Sequence, residues 1–151
     1  MNARERALPA IRNRMLIGDQ WQQAADGATF PVYDPATAQV IAQLPAGGER
    51  EVDAAVKAAR AALVSPAWRE ATPAARERIL LRLADLMEAH GEELAALETL
   101  NQGKLLAWSQ AVEVGGGAQW LRYMAGWATK IEGSTFDVSI PFPPGTRYRA
   151  S

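Results

Sequence analysis

Read for the spacing of apolar residues, the chain divides into a region of short alternating runs and a longer region of helical period. In the first, MLIGDQW turns at Gly18–Asp19, TFPVY runs into Asp34–Pro35, and QVIAQL ends at Pro45. Runs this short, bounded by turn residues, predict strands in a β meander over residues 15–45 rather than a βαβ unit. Asp34–Pro35–Ala36–Thr37 is itself a turn signal, because proline presets φ and an aspartate carboxylate reaches its own backbone two residues on. After Gly47–Gly48 the period changes. Val52, Val56, Ala59 and Leu63 recur at helical spacing, with Glu49, Glu51 and Asp53 in the first turn, where the helix dipole favours them. Ser65–Pro66 breaks that pattern, and Thr72 followed by Pro73 opens the next helix. Its expected buried stripe is Ile79, Leu80, Leu83, Leu86, Met87, Leu94, Leu97 and Leu100, with a kink at Gly91. Asn101–Gln102–Gly103 is a stop, with Gly103 suited to the left-handed conformation. A third helical region is expected over Leu105–Ile131, followed by strands at Ser134–Ile140 and Arg147–Ser151.

The final strand has no evident turn, polar tail or partner, and an unpaired terminal strand is a template for aggregation. The expectation is therefore a chain that stops inside a larger fold. A length of 151 residues suits one domain, and 48% hydrophobic with 22% charged residues is the balance of a globular protein. The organisation that follows is an arm at 1–14, a body of meander and helices at 15–132, and the start of a strand unit at 133–151. A net charge of −1 supplies no field for nucleic acid or acidic lipid. No run approaches the ~18 apolar residues of a membrane span, and the arginine-bearing opening has no secretory apolar region, so a cytoplasmic location is expected.

Candidate chemistry is sparse. The chain has no cysteine and one histidine, which excludes disulfides, thiolate nucleophiles and cysteine metal sites. His90, beside the leucine stripe, reads as a capped or partly buried side chain, and no Ser–His–Asp set assembles around it. Arg76, Glu77, Arg78, Arg82, Asp85 and Glu88 alternate as a solvated face with pairs three and four apart, and Glu113 is read as structural. Gly115–Gly116–Gly117 follows helical residues, so it lacks the strand–turn–helix context of a dinucleotide fingerprint. Three glycines inside a helix cost roughly 2–3 kcal/mol relative to alanine. Two explanations stay open: close packing against a neighbouring element, or space left for a ligand.

Several stretches match one family together and in order. PVYDPATAQVIAQLPAG, VDAAVKAARAAL, RERILLRLADLMEAHGEELAALETLNQGK and LRYMAGWATKIEG resemble the N-terminal segments of the aldehyde dehydrogenases, over about Leu16–Ser151. The resemblance implies an α/β, Rossmann-like parent fold, of which this chain is the helix-rich N-terminal α+β segment, with a short meander, three to four helices and terminal strands. It implies much longer enzymes that oxidise an aldehyde to a carboxylic acid with NAD or NADP, and that associate as dimers or tetramers. The family's nucleophilic cysteine, water-activating glutamate and cofactor-binding units match nothing here, so this chain alone is expected to be inactive and to bind no cofactor. The family's substrate entrance runs along the helix corresponding to Leu105–Ile131, and Val112, Gly116 and Gly117 match its channel-lining positions. Trp120, Tyr123 and Trp127 come later and are expected in the core. The family's monovalent-cation site maps to Val32 and Asn101, where Asn101 replaces an acidic residue, so no metal is expected. AWSQAVEVGGGAQWLRYMAGWATKIEGSTFDVSIPFPPGTRYRAS looks most like the branch acting on phenylacetaldehyde. Amino- and betaine-aldehyde dehydrogenases are the alternative within the family, and a non-catalytic assembly module the alternative outside it.

Overall fold

The computed structural model describes residues 11–138 and 148–150, with side-chain surroundings described for residues 11–135. Two hairpins open the chain. Strands β1 (Met15–Ile17) and β2 (Gln20–Gln22) pair antiparallel around Gly18, whose φ of 64° is the left-handed conformation the turn requires. Strands β3 (Thr29–Tyr33) and β4 (Val40–Pro45) pair antiparallel with a bulge between Val32 and Tyr33. The two hairpins do not pair with each other, so the expected continuous meander is two separate two-stranded sheets. The turn at Asp34 forms as its residue types dictate. The Asp34 carboxylate accepts from the Ala36 N–H and the Thr37 hydroxyl, both at 2.9 Å.

Helix α1 (Glu49–Val64) begins with half a capping box: the Glu51 carboxylate accepts from the Gly48 N–H at 2.8 Å, while Gly48 has no side chain to reciprocate. The same carboxylate accepts from the Ala25 N–H at 3.0 Å, which ties the helix start to the chain leaving the first hairpin. Both bonds favour the ionised form, so Glu51 titrates below the ordinary glutamate value. A short helix α2 (Pro66–Arg69) fills the break at Ser65–Pro66.

Helix α3 (Pro73–Ala89) is capped by Thr72, whose hydroxyl accepts from the Ala75 N–H at 3.2 Å. The expected kink is a full break. His90 leaves helical geometry (φ −104°, ψ 20°), and helix α4 (Gly91–Gln102) starts anew and ends at Gly103, with φ 77°. The expected stripe is only partly buried: Leu100 is buried, Leu80, Met87, Leu94 and Leu97 are half-buried, and Ile79, Leu83 and Leu86 are exposed. His90, expected capped or partly buried, is exposed beside Glu93, its Nδ1 3.5 Å from the carboxylate.

The third helical region is three pieces: α5 (Leu106–Trp108), a π-turn (Ser109–Gly115) and α6 (Gly116–Trp127). Helix α6 lies against α3. There the small residues Ala84, Ala118 and Ala125 are fully buried and let the two backbones approach. Arg122 of α6 spans to Asp85 and Glu88 of α3, so these two carboxylates serve a contact between helices rather than pairs within one. A second core lies under the β3–β4 hairpin, where Ala96 and Leu100 pack with Ile11, Ile41 and Leu97. Ile11 and Arg12, the latter 5.1 Å from the Trp21 ring, dock the end of the N-terminal arm.

Strands β5 (Phe136–Val138) and β6 (Tyr148–Ala150) pair antiparallel. The terminal strand therefore has a partner, contrary to expectation. The other residues of the two expected strands, 134–135, lie outside any strand, and 139, 140, 147 and 151 lie outside the described residues. Among the described residues no helix is long and apolar enough to cross a membrane.

Candidate functional site

The candidate residues of the third helical region separate by direction. Gly116 has backbone geometry of an ordinary helix (φ −62°, ψ −44°), yet a Cβ placed there would meet nothing within 4 Å. It opens on a hollow of about 460 Å³ walled by Gln119, Trp120 and Tyr123. Gly117 points the other way. A Cβ there would come 2.9 Å from the Met87 Cε, so this glycine serves the close approach of α6 to α3. The two open explanations of the glycines thus apply to different residues, packing to Gly117 and free space to Gly116. Val112 stands one turn before Gly116 and is exposed, outside the residues that wall the hollow.

Trp120, Tyr123 and Trp127, expected in the core, are instead 64%, 56% and 50% exposed. Spacings of four, three and four residues place Gly116, Trp120, Tyr123 and Trp127 on one face of α6, opposite the buried alanines. Neighbouring rings meet edge to face, at centroid distances of 5.8 Å for Trp120–Tyr123 and 6.3 Å for Tyr123–Trp127. The same stripe was readable in the sequence, but a helical stripe does not say which of two faces is covered. Glu113 is paired with Lys104, which also lies 3.7 Å from Glu98. The Glu113 contact holds the Lys104 ammonium above its ordinary value. This pairing is the structural role read from sequence.

Val32 and Asn101 come together on one hollow of about 400 Å³ between the β3–β4 hairpin and α4. Its other walls are mainly aliphatic, among them Ile41, Leu44, Leu94 and Leu97. Glu98 reaches it, but its carboxylate faces Lys104. One amide oxygen and a strand carbonyl are a poor donor set for a cation beside a lysine that already neutralises the nearest charge. Among the described residues no cluster of three or more histidine, cysteine or carboxylate side chains could hold a metal. The glycine cluster is not a dinucleotide-binding loop either. Gly115, Gly116 and Gly117 lie inside continuous helical backbone, where their N–H groups are committed to the helix rather than presented to a pyrophosphate.

The aldehyde dehydrogenase family model matches residues 21–148, most of the chain. The chain belongs to the aldehyde dehydrogenase family. It is similar to phenylacetaldehyde dehydrogenase of Pseudomonas fluorescens, with 58% identity over 153 residues, covering 100% of this chain and 30% of that protein. Among solved structures it resembles a variant of Bacillus cereus aldehyde dehydrogenase (TM-score 0.81, 42% identity, 86% of this chain and 26% of that one). It also resembles Staphylococcus aureus betaine aldehyde dehydrogenase in complex with NAD+ (TM-score 0.83, 32% identity, 91% of this chain and 27% of that one). The chain therefore spans less than a third of the length of each of these three proteins, and its fold is that of their N-terminal segment. Its residues include no thiol, so they provide no cysteine nucleophile.

Proposed function

We propose that the aldehyde dehydrogenase carrying this segment oxidises an aromatic aldehyde of the phenylacetaldehyde type to its carboxylic acid with NAD. In this reading the Gly116 face forms part of the substrate channel wall. The observation that carries it is the 58% identity to phenylacetaldehyde dehydrogenase across the whole chain. The open space at Gly116, bordered by two aromatic rings, agrees with an arylalkyl substrate, since an aromatic group gains from edge or offset contacts with such rings. Chemistry falls to residues outside this chain, so the 151-residue chain alone turns over no aldehyde and binds no cofactor. The enzyme works in the cytoplasm as a dimer or tetramer. Steady-state kinetics of the full-length protein test the substrate: kcat/KM should be higher for phenylacetaldehyde than for betaine aldehyde, and the opposite ranking moves the assignment to the amino- and betaine-aldehyde branch. A channel wall at Gly116 predicts that Gly116→Met penalises phenylacetaldehyde over acetaldehyde by roughly 5- to 150-fold, the selectivity equivalent of a 1–3 kcal/mol clash. Equal losses on both substrates would return Gly116 to a packing role.

A second reading rests on the β5–β6 hairpin. A two-stranded sheet is marginal by itself, and a further strand along its edge would complete it. We infer that this hairpin joins like subunits, so that the chain by itself acts as an assembly module. Mixing it with an intact homologue should give co-elution; separate elution with unaltered activity refutes this.

A further inference from the structure

The π-turn between α5 and α6 is a feature that neither the packing of α6 on α3 nor the open space at Gly116 accounts for. Its burial pattern shows what it does. Ser109, Val114, Ala118 and Ala125 are the buried positions of this helical region, at successive spacings of five, four and seven. Spacings of four and seven return to one face of an α-helix. A spacing of five turns ~140° past it at ~100° per residue, and so would put Ser109 and Val114 on different sides. Both nevertheless face α4. The Ser109 hydroxyl lies 3.0 Å from the Thr99 hydroxyl, and Val114 packs on Gly91, where an added Cβ would be 3.6 Å from its Cγ1. The wider π geometry absorbs one residue and keeps the faces aligned. The surplus emerges on the outer side, at the exposed residues Ala111, Val112 and Glu113. Such single π-turns inside α-helices occur frequently at functional sites.

We propose that this π-turn, held by the Ser109–Thr99 hydroxyl pair, is a specificity-determining positioning element. The residue it stores sets where Val112 stands against the wall formed by Gly116, Trp120 and Tyr123. The inference rests on the channel reading of that face.

Deleting Ala111 from the full-length enzyme tests it, with deletion of Gln119 as the control. Removing the stored residue lets the π-turn close to α-geometry with both buried faces intact. Removing Gln119 rotates everything after it by ~100° and separates Arg122 from Asp85 and Glu88. The Ala111 deletion should remain folded and active on acetaldehyde, with its phenylacetaldehyde-to-acetaldehyde kcat/KM ratio shifted by about 5-fold or more. The Gln119 deletion should unfold. Thr99→Val, which removes the hydroxyl at constant shape, should move the ratio in the same direction, and Thr99→Ser should restore it. Loss of the folded state in both deletions overturns the stored residue. A folded Ala111 deletion with an unchanged ratio, beside a Gly116→Met variant that does change it, overturns the positioning role while leaving the channel in place. An unchanged ratio in both variants removes the channel reading and this inference together.

Discussion

Replacing Gly116 by alanine isolates the difference between the two glycines of α6. The backbone at Gly116 is helical, with φ −62° and ψ −44°, and the added methyl meets nothing within 4 Å. Alanine therefore adopts the native conformation without strain, and the gain comes from the unfolded chain, which has less freedom to lose. Such substitutions stabilise by about 0.4–1 kcal/mol, close to the glycine–alanine difference in helix propensity. For a chain of this length that raises Tm by about 1–4 °C. At Gly117 the same methyl lies 2.9 Å from the Met87 Cε. Because this is the end of a flexible side chain, Met87 turns aside, and the lost packing offsets most of the propensity gain. Gly116→Ala should therefore be more stable than wild type, with Gly117→Ala close to wild type or below it. Urea unfolding read by circular dichroism resolves this as a higher midpoint at unchanged m. A Gly116→Ala midpoint at or below wild type would show that the space beside Gly116 is filled, and the reverse ranking of the two variants would refute the assignment of directions.

Removing the helix cap by Thr72→Ala should lower unfolding free energy by about 1 kcal/mol in the same assay; a change within experimental scatter would mean that the Ala75 N–H finds water equally well. Arg122→Met keeps the apolar stem but loses both carboxylate contacts, and its deficit against wild type should shrink as salt is added, because the pair is solvent-facing. A deficit that salt leaves unchanged would assign the effect to packing. Glu51 titrates below its ordinary value through the Gly48 and then the Ala25 N–H, so its contribution is present above the ordinary glutamate pKa and is lost as pH falls through the lowered one. Glu51→Gln should then melt lower than wild type at neutral pH, the gap closing below about pH 4; a gap that persists in acid would refute the charge-assisted cap. Trp120→Ser with Tyr123→Ser should reduce binding of a dye specific for apolar surface by the isolated chain, whereas unchanged fluorescence would place the accessible apolar surface elsewhere.

The parts of the fold legible in the sequence are those fixed by local chemistry. Pro73 after Thr72, Gly103 after Gln102 and Asp34 before Pro35 each act within a few residues, and each stands where its type requires. What was not legible depends on partners far along the chain. The sequence signals a bend at Gly91 but not that His90 leaves helical geometry altogether, and the spacing of five between buried Ser109 and Val114 across the π-turn leaves no trace in an apolar periodicity. The exposure of Trp120, Tyr123 and Trp127 is hidden from the sequence for a related reason. Hydrophobicity ranks the aromatic face as the one to bury, whereas close approach of two backbones selects the face with glycine and alanine. Gly116 and Gly117 are adjacent and identical in type, so only the position of Met87 separates a packing residue from an open wall.

This inversion of faces has an energetic consequence. The residues that α6 buries fully are alanines, and a methyl group carries little of the hydrophobic driving force, about 0.8 kcal/mol per carbon. The side chains with the largest capacity for burial, Trp120, Tyr123 and Trp127, together with Met124, are at least half or nearly half exposed. Fully covering an aromatic side chain is worth roughly 1.5–3 kcal/mol, so covering three would add several kcal/mol, comparable to the net stability of a small domain. The α3–α6 interface therefore sets the position of the aromatic face far more than it stabilises the segment. Its small residues fix the distance, Arg122 fixes the register along α3, and the π-turn fixes the rotation relative to α4. A helix held in this way presents its large side chains at defined positions without consuming them in its own core, which is what a wall that must contact something else requires.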